Sequence, residues 1–144
     1  MELRDKRILV TGGSDGIGKH ICLKLAATGA RLALLGRNAE RLAAVAEACK
    51  EAGAPEALPL TCDLQDPAAI ADVVAQVRDR FGGLDILINN AGIWHKAGPL
   101  DTIAPEMLQA TVQTNLTGLM QMTQALLPAL RENDEAIILN VVSK

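Results

Sequence analysis

The segment Thr11-Gly12-Gly13-Ser14-Asp15-Gly16-Ile17-Gly18 constrains the fold more than any other stretch of this chain. It directly follows the apolar run Ile8-Leu9-Val10 and leads into a helical pattern that starts at Ile17. A strand, a tight glycine loop and a helix in that order make a phosphate cradle. Glycine lets the backbone turn with positive φ and approach a ligand closely, and a helix N-terminus aims free N–H groups at an anion. The glycines fall as Gly12-x-x-x-Gly16-x-Gly18, which is not the G-x-G-x-x-G spacing. Gly13, Gly18 and Lys19 also nearly fit a P-loop NTPase, but a P-loop next requires a Ser or Thr for Mg²⁺, and His20 stands there. A turn that binds nothing is the remaining reading, and the backbone entropy that each glycine costs argues against it.

Short apolar runs alternate with longer helical patterns along the rest of the chain. They predict strands at about 7–11, 31–35, 57–62, 84–90 and 136–142, and helices at about 17–29, 39–52, 67–81 and 103–130. Gly29, Gly53 with Pro55, and Gly82-Gly83 close the first three helices, while Asp66-Pro67 opens the third as N-cap and first helical residue. Leu84-Asp85-Ile86-Leu87-Ile88 and Ile137-Ile138-Leu139-Asn140-Val141-Val142 are nearly continuous apolar runs, as expected of parallel strands covered on both faces. Strict alternation with short connections implies right-handed crossovers and a doubly wound α/β fold, a Rossmann-like three-layer sandwich. With 144 residues, 1–144 is expected to be a single dinucleotide-binding domain. Such sheets bind ligands outside the carboxyl ends of their strands, where the strand order reverses. Two strand ends carry small or polar residues, the glycine loop and Asn89-Asn90-Ala91-Gly92, and if their strands are neighbours both face one crevice.

Composition excludes several functions. A net charge of −3 supplies neither a basic face for nucleic acid nor a polybasic strip for membrane, and Phe81 and Trp94 are the only aromatic residues. Cys22, Cys49 and Cys62 match no metal-ligand spacing and suit reduced thiols, so no metal is expected. The charged start, residues 1–7, lacks the apolar core of a signal peptide, which predicts a cytoplasmic protein.

The second strand ends Leu34-Leu35-Gly36-Arg37-Asn38. A ribose 2′-hydroxyl is read by an acidic side chain at this place, a 2′-phosphate by an arginine. No acid is present, and the planar fork of Arg37 suits a phosphate, so NADP(H) is favoured and NAD(H) is the other choice. Asp15 works against this by repelling a phosphate, and Arg37 has a plainer use as a solvated partner of Glu40 or Glu47. Asp63, after the third strand, either accepts from an adenine amino group or merely caps the turn before Asp66-Pro67. In the fourth helix Asn115 interrupts the stripe Leu108, Val112, Leu119, Met122, Leu126 and Leu130. A buried amide without partners costs about 1–3 kcal/mol, so Asn115 is expected to hold a backbone carbonyl, a water or a substrate. Trp94 and His95 carry no assignment.

Taken together, these residues resemble the short-chain dehydrogenase/reductase family. Thr11-Gly12-x-x-x-Gly16-Ile17-Gly18 matches its cofactor loop, spanning Gly13, Ser14 and Asp15, and Asp63-Leu64 matches its adenine contact. Asn89-Asn90-Ala91-Gly92 matches the turn that steadies its central sheet, with Asn90, Ala91 and Gly92 on the cofactor. Thr114-Asn115-Leu116 and Asn140-Val141-Val142-Ser143 resemble the segments bearing its catalytic Asn and Ser. The matches run in order from residue 8 to residue 143. The resemblance implies hydride transfer between a nicotinamide C4 and a carbonyl or alcohol carbon of a small-molecule substrate. Ser143 would hydrogen-bond the substrate oxygen, and Asn115 would order a proton-relay water. The family's acid/base is a Tyr followed four residues later by a Lys, because a phenol with an ordinary pKa of about 10 needs help near neutrality. The chain holds no tyrosine, and Lys144 is not that lysine. The resemblance therefore implies an N-terminal portion, incomplete at its C-terminal end, that binds cofactor without full catalysis. The alternative is a non-enzymatic nucleotide-binding or oligomerising fragment. An apolar fifth strand at a sheet edge is a template for pairing, so a homo-oligomer is expected.

Overall fold

A computed structural model describes residues 1–94 and 98–142. In chain order it contains β1 (Arg7–Thr11), α1 (Gly16–Ala26), β2 (Arg31–Gly36), α2 (Ala39–Glu51), β3 (Ala57–Thr61), α3 (Pro67–Phe81) and β4 (Ile86–Asn89). A 3₁₀ turn (Leu100–Thr102), α4 (Pro105–Val112), a π-helical stretch (Gln113–Gly118), α5 (Leu119–Arg131) and β5 (Ile137–Asn140) follow. The five strands are parallel in the order β3-β2-β1-β4-β5, so the sheet is the doubly wound, Rossmann-like arrangement expected from the alternation. The order reverses between β1 and β4, and that is the switch point.

Strand residues alternate between two cores, since successive side chains leave opposite faces of a sheet. Ile8, Val10, Leu32, Leu34, Ile86 and Ile88 pack with Cys22 and Ala26 of α1 and Leu42, Val45 and Cys49 of α2. Leu9, Ala33, Leu35, Leu60 and Leu87 pack with Ile70, Val73, Val77 and Phe81 of α3 and Met122, Leu126 and Leu130 of α5. The helix caps follow the sequence: Asp66 accepts from Ala68 N at 2.9 Å with Pro67 behind it, and Gly82 ends α3 at φ 71°. Pro59 sits on edge strand β3, where its missing N–H breaks no ladder to a further strand.

At the end of the sheet opposite the glycine loop, the Asp85 carboxylate accepts from Arg7 N and Nε, both at 2.8 Å, and from Arg7 Nη2 at 3.0 Å. Arg7 Nη2 also donates to Asn133 Oδ1 at 2.6 Å, and Asn133 Nδ2 donates to the Leu84 carbonyl at 2.7 Å. This network ties β1, β4 and the end of α5 together. The hydrogen bonds from Arg7, set against partial burial, hold the Asp85 carboxyl below its ordinary pKa.

Two expectations need correction. The single helix over 103–130 is divided, with the π-helical stretch between α4 and α5. Because that stretch shifts the helical phase, the apolar stripe is buried only at its far end. Met122, Leu126 and Leu130 are inside, whereas Leu108 and Val112 are exposed. The run at 136–142 lies at the sheet edge, as the sequence predicts, but its strand is shorter, Ile137–Asn140, and Ile137, Ile138 and Leu139 are 38%, 41% and 47% exposed.

Candidate functional site

A crevice of about 540 Å³ opens at the carboxyl ends of the strands, at the switch point. That size is ordinary for a small-molecule site. Its floor is the glycine loop on one side and the turn after β4 on the other. Thr11 joins them: its buried Oγ1 accepts from Asn90 N at 3.0 Å and Ala91 N at 2.9 Å. The Thr11 hydroxyl also donates to the Ile88 carbonyl at 3.5 Å, so both lone pairs and the proton are directed. The amide of Asn90 returns the contact, donating to the carbonyls of Thr11 at 3.2 Å and Gly12 at 3.3 Å.

Two glycines are needed for this interlock. Gly12 has φ 68°, and a Cβ there would lie 2.9 Å from Ala91 Cα. A Cβ on Gly18 would collide with the Gly12 carbonyl oxygen. The loop therefore closes tightly onto the first turn of α1. Asp15 caps that helix, its Oδ1 accepting from Gly16 N at 2.7 Å, and Asp15 Oδ2 lies 3.4 Å from Arg41 Nη1.

Of the residues singled out in the sequence, Gly12, Ser14, Asp15, Gly16, Ile17, Gly18, Arg37, Asp63, Leu64, Asn90, Ala91 and Gly92 all line the crevice. Thr11 and Gly13 lie behind its wall: Thr11 is buried, and Gly13 N donates to the Leu35 carbonyl at 3.0 Å. Asn38 stands beside the crevice as the N-cap of α2, accepting from Arg41 N at 2.9 Å. Arg37 is exposed and makes no ion pair among the described residues, and Glu47 pairs with Lys50 instead. Asp63 is exposed and accepts from Gln65 N at 2.9 Å through one oxygen. His20, at the position a P-loop gives to Ser or Thr, donates from Nδ1 to the Gly16 carbonyl at 2.8 Å.

Asn115 lies in the π-helical stretch and is exposed rather than buried. It does hold a backbone carbonyl: Nδ2 donates to Ile93 O at 2.9 Å, and Oδ1 accepts from Ile93 N at 2.7 Å. This pairing anchors the segment after Gly92 to the helix, as a strand partner would. Ser143 and His95 lie outside the described residues.

Several crevice residues carry no sequence signal of their own. Leu35, Gly36, Cys62, Ile93 and Thr114 complete the lining. Thr114 is 7% exposed, and its hydroxyl has no hydrogen-bond partner among the described residues. Its place beside Asn115 was the only hint. Burial raises the Cys62 thiol to about 11, with Asp63, Asp66 and Asp72 adding to the shift. Among the described residues no helix is long and apolar enough to cross a membrane.

A family model described as short chain dehydrogenase matches residues 6–144. A short chain dehydrogenase of Monascus purpureus is 41% identical over 96% of this chain and 49% of its own length. Dehydrogenase/reductase SDR family member 7B of Bos taurus is 37% identical over 89% of the chain and 41% of its own. A metagenomic short-chain oxidoreductase, solved in complex with NADP, superposes with a TM-score of 0.92 at 36% identity, covering 100% of this chain and 65% of that one. The chain spans less than half the length of these two relatives. With the doubly wound sheet and the interlocked loops at its switch point, these matches place the chain in the short-chain dehydrogenase family.

Proposed function

We propose that the protein carrying this chain is an NAD(P)-dependent oxidoreductase that prefers NADP(H) and acts on a carbonyl or secondary alcohol. The observation that carries this reading is the crevice itself: a glycine loop and a helix N-terminus at the switch point, with the guanidinium of Arg37, which has no ion-pair partner among the described residues, in its lining. These residues fit a dinucleotide. The close approach at Gly12 and Gly18 leaves the α1 N-terminus open to a pyrophosphate, as a helix dipole favours. Arg37 and Ser14 would take a ribose 2′-phosphate, and Asp63 and Leu64 the adenine. Asn90, Ala91 and Gly92 would border the nicotinamide half. When bound, the cofactor supplies or accepts a hydride at its nicotinamide ring. Asn115 holds the backbone at Ile93 in position, and Ser143 would hydrogen-bond the substrate oxygen.

The 144 residues contain no tyrosine, so the phenolic acid/base implied by the family resemblance is not among them. We expect these residues alone to bind cofactor with negligible turnover. Thermal-shift titration tests the binding half, because only a ligand of the folded state raises stability. NADPH should raise the melting temperature more than NADH, and ATP with Mg²⁺ should leave it unchanged. An equal or larger shift with ATP and Mg²⁺ would favour a P-loop reading instead. Carbonyl-dependent NADPH oxidation by the 144 residues alone would overturn the second half. The second reading is a non-enzymatic module that binds nucleotide or assembles with copies of itself. A stable homo-oligomer that binds no dinucleotide would support it.

A further inference from the structure

Asp15 lines the crevice and faces Arg41, which stands outside that lining, and neither the glycine loop nor Arg37 accounts for the pair. Asp15 uses one oxygen to cap α1 and turns the other toward Arg41, 3.4 Å from Nη1. Arg41 is the third residue of α2 after its N-cap, Asn38. Helical side chains lean toward the N-terminus of their helix, which brings this guanidinium back to the loop. The pair is loose. Its side chains are 62% and 76% exposed, and 3.4 Å is long for a charge-assisted hydrogen bond.

A phosphate monoester is a better partner for a guanidinium than a solvated carboxylate at that distance, because it accepts two parallel N–H bonds. The end of the crevice beside this pair is where such a group would arrive. Ser14 and Gly36 crowd together there, so that a Cβ on Gly36 would sit 3.1 Å from Ser14 Oγ, and Arg37 follows directly. Asp15 alone would repel a phosphate at that end. Arg41 answers both problems, since five N–H donors in one plane can serve two anions at once.

We propose that Arg41 is a cofactor-specificity residue that recognises the ribose 2′-phosphate together with Arg37, its fork bridging that phosphate and Asp15. This rests on the NADP(H) preference proposed above. Asp15 then acts as the holder of Arg41, and its negative charge is masked whenever Arg41 is in place.

Calorimetric titration of the full protein with adenosine 2′,5′-bisphosphate and with 5′-AMP isolates the 2′-phosphate. Arg41→Ala should weaken the bisphosphate about tenfold and leave 5′-AMP within about twofold, a size expected for one charged hydrogen-bonding partner near solvent. Adding Asp15→Asn to Arg41→Ala should recover part of that loss by removing the unmasked repulsion. Retained 5′-AMP binding shows that the variants fold. If Arg37→Ala lowers bisphosphate affinity selectively and Arg41→Ala does not, the assignment of Arg41 falls while the cofactor preference stands. An Arg41→Ala variant that weakens both ligands alike also overturns the assignment. If the unaltered protein binds both ligands equally, the preference fails, and the role of Arg41 with it.

Discussion

The Thr11 hydroxyl accepts the backbone N–H of Ala91 at 2.9 Å, which locks the end of β1 to the turn after β4 across the switch point of the sheet. Because Thr11 is 1% exposed, water cannot replace that contact. Thr11→Val keeps the shape and removes the acceptor, leaving the N–H groups of Asn90 and Ala91 without their partner. A loss of about 1–3 kcal/mol is expected, from two part-buried donors that lose their acceptor at once. Urea denaturation measures it. Thr11→Ser should recover most of the loss, whereas equal stability of Val and Ser variants would refute the lock.

Gly18 tolerates no side chain. An added Cβ would meet the Gly12 carbonyl oxygen and lie 2.5 Å from Asn90 Nδ2. Gly18→Ala should therefore destabilise the fold by about 3 kcal/mol, the upper part of the overpacking range, because the obstacle is backbone. NADPH titration should show weaker binding as the loop is pushed open. A variant with unaltered melting temperature would mean that the loop has room to shift.

Asp85 makes stability depend on acid. Its carboxyl is held below the ordinary aspartate range chiefly by the hydrogen bond from Arg7. As pH falls, the unfolded chain takes up a proton before the folded one. The stabilisation is therefore complete above the unfolded value of about 3.9 and fades as pH drops through the lower folded value. Asp85→Asn should cost about 2–3 kcal/mol at neutral pH, less than a fully buried pair, since the Arg7 side chain is 21% exposed. Urea midpoints followed on acidification should converge for the two proteins. Parallel curves would show that Asp85 is not the acid-sensitive group.

The thiols should be inert in the folded protein. Burial raises Cys22 to about 12 and Cys62 to about 11, and it raises Cys49 as well. A disulfide reagent at mildly alkaline pH should label none of the three quickly in the native state and all of them in guanidinium chloride. Rapid native labelling at Cys62, which lines the crevice, would show that the crevice wall opens.

Much of the architecture was legible because it rests on local chemistry. The alternation of apolar runs and helical patterns, the Asp66-Pro67 cap and the glycine stops each specify an element without reference to distant residues. The candidate site was legible where a motif has a backbone reason, as with Gly12 and Gly18 against Asn90 and Ala91. It was illegible where residues meet only by folding. Arg41 lies 26 positions from Asp15, and nothing in its surroundings along the chain marks it.

The sequence by itself determined the doubly wound fold class and most of the residues that line the crevice, because periodicity and glycine placement act over a few residues. The neighbouring of β1 and β4 that makes the switch point came from the strand order. Tertiary structure alone decided the π-helical stretch at Asn115, the exposure of Asn115 itself and the meeting of Asp15 with Arg41. Those features depend on how one packed element sits against another, and a helical pattern such as 103–130 reads as continuous until its neighbours set the phase.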